Sequence, residues 1–232
     1  MTEILNPLVT TMFSELRELR DQAPLEATAD IDMVWGVSAP GTITENANDG
    51  AYAGKSFDAL VISRGIDLVR EVTARRMGKD VATVTKEDIE AHGPTFYYNG
   101  ENKDIPGYTY AQNEDLAEAA SDENFPIPES KIVLGHISAA HTPAQVKDIA
   151  EYIRTSAEPI NKVAVVSLGA HSVRVSRYLE LSKELFPEEV KLVQAPVSLE
   201  HDTPATVHRE VNKVLQYLEK GHLATKSYFA DK

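Results

Sequence analysis

The chain has 232 residues, no cysteine, and 23 Lys+Arg against 36 Asp+Glu, for a formal charge of −13. That length suits one large domain or a domain with a small appendage, and 42% hydrophobic with 25% charged residues is the composition of a chain that folds around a core. The missing cysteines exclude disulfides, thiolate nucleophiles, iron–sulfur clusters and cysteine-ligated zinc, and the acidity argues against nucleic acid or an anionic membrane as partner, because both need Lys/Arg-rich surface.

Residues 6–22 read as an amphipathic helix. Asn6 can cap it, Pro7 suits the first position, and Leu8, Met12, Leu16 and Leu19 share a face. This helix dominates an N-terminal extension, residues 1–30. It reads either as packed on the domain surface or as a dimerisation helix, in which case the partner is a second copy. No secretory signal and no run of about 18 apolar residues is visible, so the expected location is cytoplasmic.

Residues 31–37 read as a buried strand that leaves through small residues, Ser38-Ala39-Pro40-Gly41. Residues 56–78 read mostly as helix, entered at Ser56. Thr85 opens a short helix of the form Thr-x-x-Asp. Residues 95–98 read as a strand closing at the turn pair Asn99-Gly100. Residues 101–130 carry eight carboxylates against one lysine, with a short helix near 112–120. A short strand follows at Lys131–Leu134.

Thr142 to about Ser156 is a punctuated helix, with Thr142 as cap, Pro143 next and Gln145 completing a capping box. Val146, Ile149, Ala150 and Ile153 form its buried stripe. Residues 162–168 are a continuous apolar strand, Gly169–Ser172 a tight loop, and a helix runs on to about Phe186. Val190–Ala195 is another strand. Asp202 or Thr203 caps a last helix, which opens with Pro204, buries Val207, Val211, Val214 and Leu218, and stops at Gly221. This alternation predicts one α/β domain over 31–222 with a largely parallel sheet, followed by a tail, 223–232. Ligands bind such sheets beyond the carboxyl ends of the strands.

Several familiar motifs fail on spacing. Gly54-Lys55-Ser56 would need a glycine at position 49 to make a phosphate loop, and Asp49 stands there. There is no Gly-x-Gly-x-x-Gly and no Gly-x-Ser-x-Gly. His136 and His141 have no helix to align them on a metal. The informative stretch is 165–174, where a buried strand delivers His171 and Arg174, three apart, into the start of a helix. First-turn amides and the positive helix end favour an anion there. Arg174 could fork onto a carboxylate or phosphate, and His171 could exchange a proton near neutral pH. The plainer assignment has His171 capping the helix and Arg174 paired with the acidic block.

This constellation resembles the YdcF-like family, a domain of unknown function shared with ElyC and SanA. The family's strand followed by Thr/Ser-x-x-x-His-x-x-Arg stands here as Ser167-Leu168-Gly169-Ala170-His171-Ser172-Val173-Arg174. Its Thr-x-x-Asn-Ala corresponds to Thr142-Pro143-Ala144-Gln145-Val146, and its strand ending in an acid to Ile132-Val133-Leu134-Gly135-His136. A family Ser-Gly-Gly turn matches Tyr98-Asn99-Gly100, with its following Glu at Glu114 and a helix arginine at Arg64. The glycine-rich exit of the first strand matches Gly36-Val37-Ser38, and a strand ending in proline matches Ala195-Pro196-Val197. The chain departs from the family at His136 in place of the acid and at Gln145 in place of the asparagine, and it keeps one glycine of the exit.

The resemblance implies a Rossmann-like three-layer sandwich with a polar cleft at the strand ends. It implies the soluble type, because ElyC and SanA types carry membrane anchors. It also implies a small anionic or nucleotide-like ligand, with S-adenosylmethionine as the candidate cofactor. In that cleft His171 and Arg174 would be catalytic, and Gly36, Ser38, Arg64, Asn99, Gly100, Glu114, His136, Thr142, Gln145 and Ser167 would line or bind the ligand. The alternative is a non-catalytic sensor or scaffold that has lost the family chemistry and acts through its N-terminal helix.

Overall fold

The computed structural model describes residues 2–21, 28–38, 59–100, 112–135 and 141–230. The strands are β1 Met33–Val37, β2 Thr95–Asn99, β3 Ile132–Leu134, β4 Lys162–Val166 and β5 Lys191–Gln194. They form one sheet in the order β3-β2-β1-β4-β5, and every neighbouring pair is parallel. The register sets Met33 beside Thr95 and Val163, and Val37 beside Asn99. The helices are α1 Thr2–Asp21, α2 Ala59–Met77, α3 Lys86–His92, α4 Gln112–Ala120, α5 Thr142–Thr155, α6 Gly169–Leu181 and α7 Pro204–Glu219. The fold is a Rossmann-like three-layer α/β sandwich.

The central strands are apolar without interruption because both faces of the sheet are covered. Side chains alternate between them. Val34, Phe96, Tyr98, Ala164 and Val166 pack against α2, α3 and α4. Met33, Trp35, Val37, Tyr97, Val163 and Val165 pack against α1, α5, α6 and α7.

The side on which each helix lies follows from strand order. The chain steps outward from β1 to β2 to β3 with its helices on one face. It then returns past β1 to β4 and β5, and right-handed crossovers place α5 and α6 on the opposite face. The order reverses between β1 and β4, and the crevice of such a sheet lies beyond the carboxyl ends of those two strands.

Local differences from the sequence-based expectations have identifiable causes. Helix α1 starts at Thr2, not at Asn6, and contains Pro7. A proline removes one backbone donor, and this one stands early in a 20-residue helix where a single lost bond is tolerated. The Thr85 box forms as expected, with Asp88 N donating to Thr85 Oγ1 and Thr85 N to Asp88 Oδ2. The box expected at Thr142 does not form. His141 is the cap of α5, and its Nδ1 accepts from Ala144 N at 3.3 Å. The imidazole supplies the acceptor, which leaves the Thr142 hydroxyl to turn elsewhere. Residues 169–172 are the first turn of α6 and not a loop. Asn99 is the last residue of β2, buried, and not a turn residue. Thr203 caps α7, accepting from Thr206 N at 3.1 Å. The proposed entry at Ser56 lies outside the described residues.

The N-terminal helix is fastened to the core. Met12 and Leu16 are buried among α6 and α7 residues. Arg177, with a fully buried side chain, forks onto Glu15 at 2.8 and 3.0 Å. Beyond α7, Leu223 is buried and Tyr228 N donates to Ser176 O at 3.2 Å, so residues 223–230 lie along α6. No helix among the described residues is long and apolar enough to cross a membrane.

Candidate functional site

Buried polar side chains gather where the strands end. Ser38, just past β1, donates through its hydroxyl to Gln112 Oε1 at 2.7 Å, and its carbonyl accepts from Gln145 Nε2 at 3.3 Å. Asn99, at the end of β2, accepts from Trp35 Nε1 at 3.2 Å. Its amide donates to the Gln145 carbonyl and to Asp148 Oδ2, both at 3.0 Å. Gly100 N donates to Asn113 Oδ1 at 2.7 Å. Ser167, just past β4, is buried, and its carbonyl accepts from Val197 N at 2.8 Å.

A second set lies across the start of α5. Thr142 Oγ1 is 3.4 Å from His171 Nε2 and accepts from Arg174 Nη1 at 3.4 Å. Arg174 Nε donates to Glu210 Oε2 at 2.8 Å, and Lys213 Nζ holds Glu210 Oε1 at 3.0 Å. Thr142 and Gln145, three residues apart on α5, join the two sets. Arg174 therefore pairs with Glu210 of α7, and no described carboxylate of the acidic block 101–130 is bonded to it.

Electrostatics change the role of His171. Burial, reinforced by the nearby Arg174 and Lys213 charges and opposed by Glu210, pushes its pKa down to about 3. This favours the neutral imidazole at physiological pH, against the expectation of proton exchange near neutrality. Burial works against the Glu210 carboxylate, but His171, Arg174 and Lys213 overcome it and take the pKa down to about 2. With His171 uncharged at neutral pH, Arg174 and Lys213 supply the attraction.

The anion expected at the start of α6 belongs to the chain itself. Asp202 Oδ2 accepts from Ala170 N at 2.8 Å. A Cβ on Gly169 would come within 2.7 Å of that oxygen and within 2.8 Å of the Leu199 side chain, so a larger residue there would make both side chains shift. Asp202 thus caps α6, while Thr203 beside it caps α7.

The remaining sequence-derived candidates divide. Glu114 lies in the first turn of α4, and its Oε2 is buried without a hydrogen-bond partner among the described residues. Gly36 stands inside β1 with the Phe96 and Tyr98 rings 3.2 Å from where a Cβ would be, which makes it a packing position. Arg64 binds Glu71 at 2.9 Å, seven residues along α2, and is drawn down the helix from the strand ends. His136 lies outside the described residues.

Asp148 is a site residue that sequence reasoning missed. It is buried, and its Oδ2 accepts from the Tyr97 hydroxyl at 2.6 Å as well as from Asn99. A Cβ on Gly135 would collide with the same oxygen. Burial, and then the bond to Asp148, drive the Tyr97 phenol far above its usual range. Thr142, Gln145 and Asp148 form a polar row at three-residue spacing beside the apolar stripe of α5, and that row was the available signal.

Among the described residues, no group of three or more His, Asp or Glu is placed to hold a metal ion. Fold and site define a Rossmann-like α/β sandwich with a buried polar patch at the carboxyl ends of its sheet. Comparison of the chain with protein-family models, curated proteins and solved structures finds no match.

Proposed function

We propose that this protein is YdcF-like and binds a small nucleotide-like or anionic metabolite, with S-adenosylmethionine the first candidate, at the carboxyl ends of β1 and β4. One observation carries this: Ser38, Asn99, Thr142, Gln145, Ser167 and His171, polar residues from five different segments, are all buried at one end of a parallel sheet. Burying polar groups costs free energy, and a chain that does so at the ligand-binding end of its fold gains a set of directed hydrogen-bonding groups. His171 acts there by hydrogen bonding and not by proton transfer. The rival assignment, a sensor acting through the N-terminal helix, is weakened because Met12 and Leu16 are buried and Glu15 is bound to Arg177.

The test is thermal denaturation with S-adenosylmethionine, nucleotides and sugar phosphates. A ligand at about a hundred times its dissociation constant adds about 2.7 kcal/mol. For a chain of this size that raises Tm by about 5–10 °C. The rise is expected to vanish in His171→Gln and to persist in Arg75→Ala. A panel in which nothing stabilises the protein refutes the proposal.

A further inference from the structure

His171 is only 2% exposed, and its two ring nitrogens are unequal. Nε2 faces the Thr142 hydroxyl, while Nδ1 is buried without a hydrogen-bond partner among the described residues. The Thr142 oxygen also receives Arg174 Nη1. Arg174 is itself anchored on Glu210, whose other oxygen Lys213 holds.

Donor and acceptor bookkeeping decides the tautomer. A guanidinium has donors only and stays protonated, so Thr142 Oγ1 accepts from Arg174. The Thr142 hydroxyl proton then has one acceptor beside it among the described residues, His171 Nε2. A neutral imidazole carries a single N–H, so a ring that accepts at Nε2 bears its proton at Nδ1. The opposite tautomer would leave two buried groups unmet, the Thr142 hydroxyl proton and the Nδ1 lone pair. The assigned one leaves a single unmet group, an N–H.

We propose that Arg174 and Thr142 lock His171 as the Nδ1–H tautomer, so that a neutral imidazole offers one fixed N–H donor to an acceptor oxygen of a bound small molecule, whether carbonyl, carboxylate, phosphoryl or hydroxyl. Arg174 is then a positioning residue that acts through Thr142. The low pKa of the ring agrees with this, since an imidazolium would donate from both nitrogens. The tautomer stands independently of any ligand, and the recipient oxygen rests on the ligand-binding proposal above.

The experiment is two-bond proton–nitrogen correlation NMR of the imidazole in nitrogen-15-labelled full-length protein. The expected spectrum has a protonated-type Nδ1 and an unprotonated-type Nε2 at neutral pH. A protonated Nε2, or an imidazolium, overturns the proposal without any variant being made. Thr142→Val is expected to mix the tautomers and Thr142→Ser to keep one. A Thr142→Val spectrum identical to the parent overturns the relay. With S-adenosylmethionine added, the Nδ1–H resonance is expected to move. Stabilisation by that probe with an unmoved Nδ1–H overturns the donor role. A panel in which nothing binds overturns the ligand-binding proposal and the donor role with it, while the parent spectrum still decides the tautomer.

Discussion

Acid should destabilise this protein through His171 before it does so through its paired carboxylates. In the unfolded chain the imidazole takes up a proton below its ordinary pKa of 6.5, whereas in the folded chain it does so only below about 3. Between those values the unfolded state binds one more proton, so stability falls by about 1.4 kcal/mol for each pH unit of acidification. From about pH 7 to about pH 5 the loss is about 2 kcal/mol, or about 4–8 °C in Tm. Glu210 behaves differently. Its folded pKa is depressed, so its contribution is complete above 4.5 and disappears only as pH falls toward 2, outside this window. The charged groups that act on the ring are Arg174, Glu210 and Lys213. The assay is urea denaturation of the parent and of His171→Gln at both pH values. The parent should lose about 2 kcal/mol more than the variant on acidification. Equal losses would mean that His171 is charged or solvated in the folded state, and the role assigned to it would fail.

Glu15→Ala strands the buried Arg177 charge and should cost about 3–5 kcal/mol by urea denaturation, whereas Glu15→Leu with Arg177→Met should recover most of it. Tyr97→Phe removes a donor from the buried Asp148 carboxylate and should cost about 1–3 kcal/mol by the same measurement, with Tyr152→Phe costing less. Gly169→Ala forces Asp202 and Leu199 off the start of α6 and should cost about 1–3 kcal/mol, read as a lower Tm. Asp202→Ala keeps the glycine but loses the cap, for about 0.5–2 kcal/mol.

Elements could be read from the sequence where periodicity is local. Strand β4, expected over 162–168 and observed at Lys162–Val166, shows because a strand covered on both faces is apolar. Helix α3 shows because Thr85 and Asp88 are three residues apart. Long-range chemistry left no comparable mark. Glu15 and Arg177 are 162 positions apart, and Arg174 and Glu210 are 36 apart. The expectation of an acid–base role for His171 near neutral pH runs against its burial, for a related reason. A residue's type sets its ordinary pKa, but burial among Arg174, Glu210 and Lys213 is a property of two packed helices, α6 and α7. The Thr142 box misled because His141, a poor capping residue by type, sits one position earlier with a nitrogen that can accept.

Asp202 has a consequence for which molecules can reach the start of α6. Its carboxylate is tethered there by the connection 195–203 between β5 and α7. A tethered group competes as if present at an effective concentration on the order of millimolar. Free phosphate or sulfate has to displace the tethered anion first, so it binds the helix start more weakly than it would a bare one. A molecule that evicts Asp202 has to bring contacts elsewhere that outweigh the intramolecular competitor. The carboxylate thus fills the helix start at which a small inorganic anion would otherwise collect.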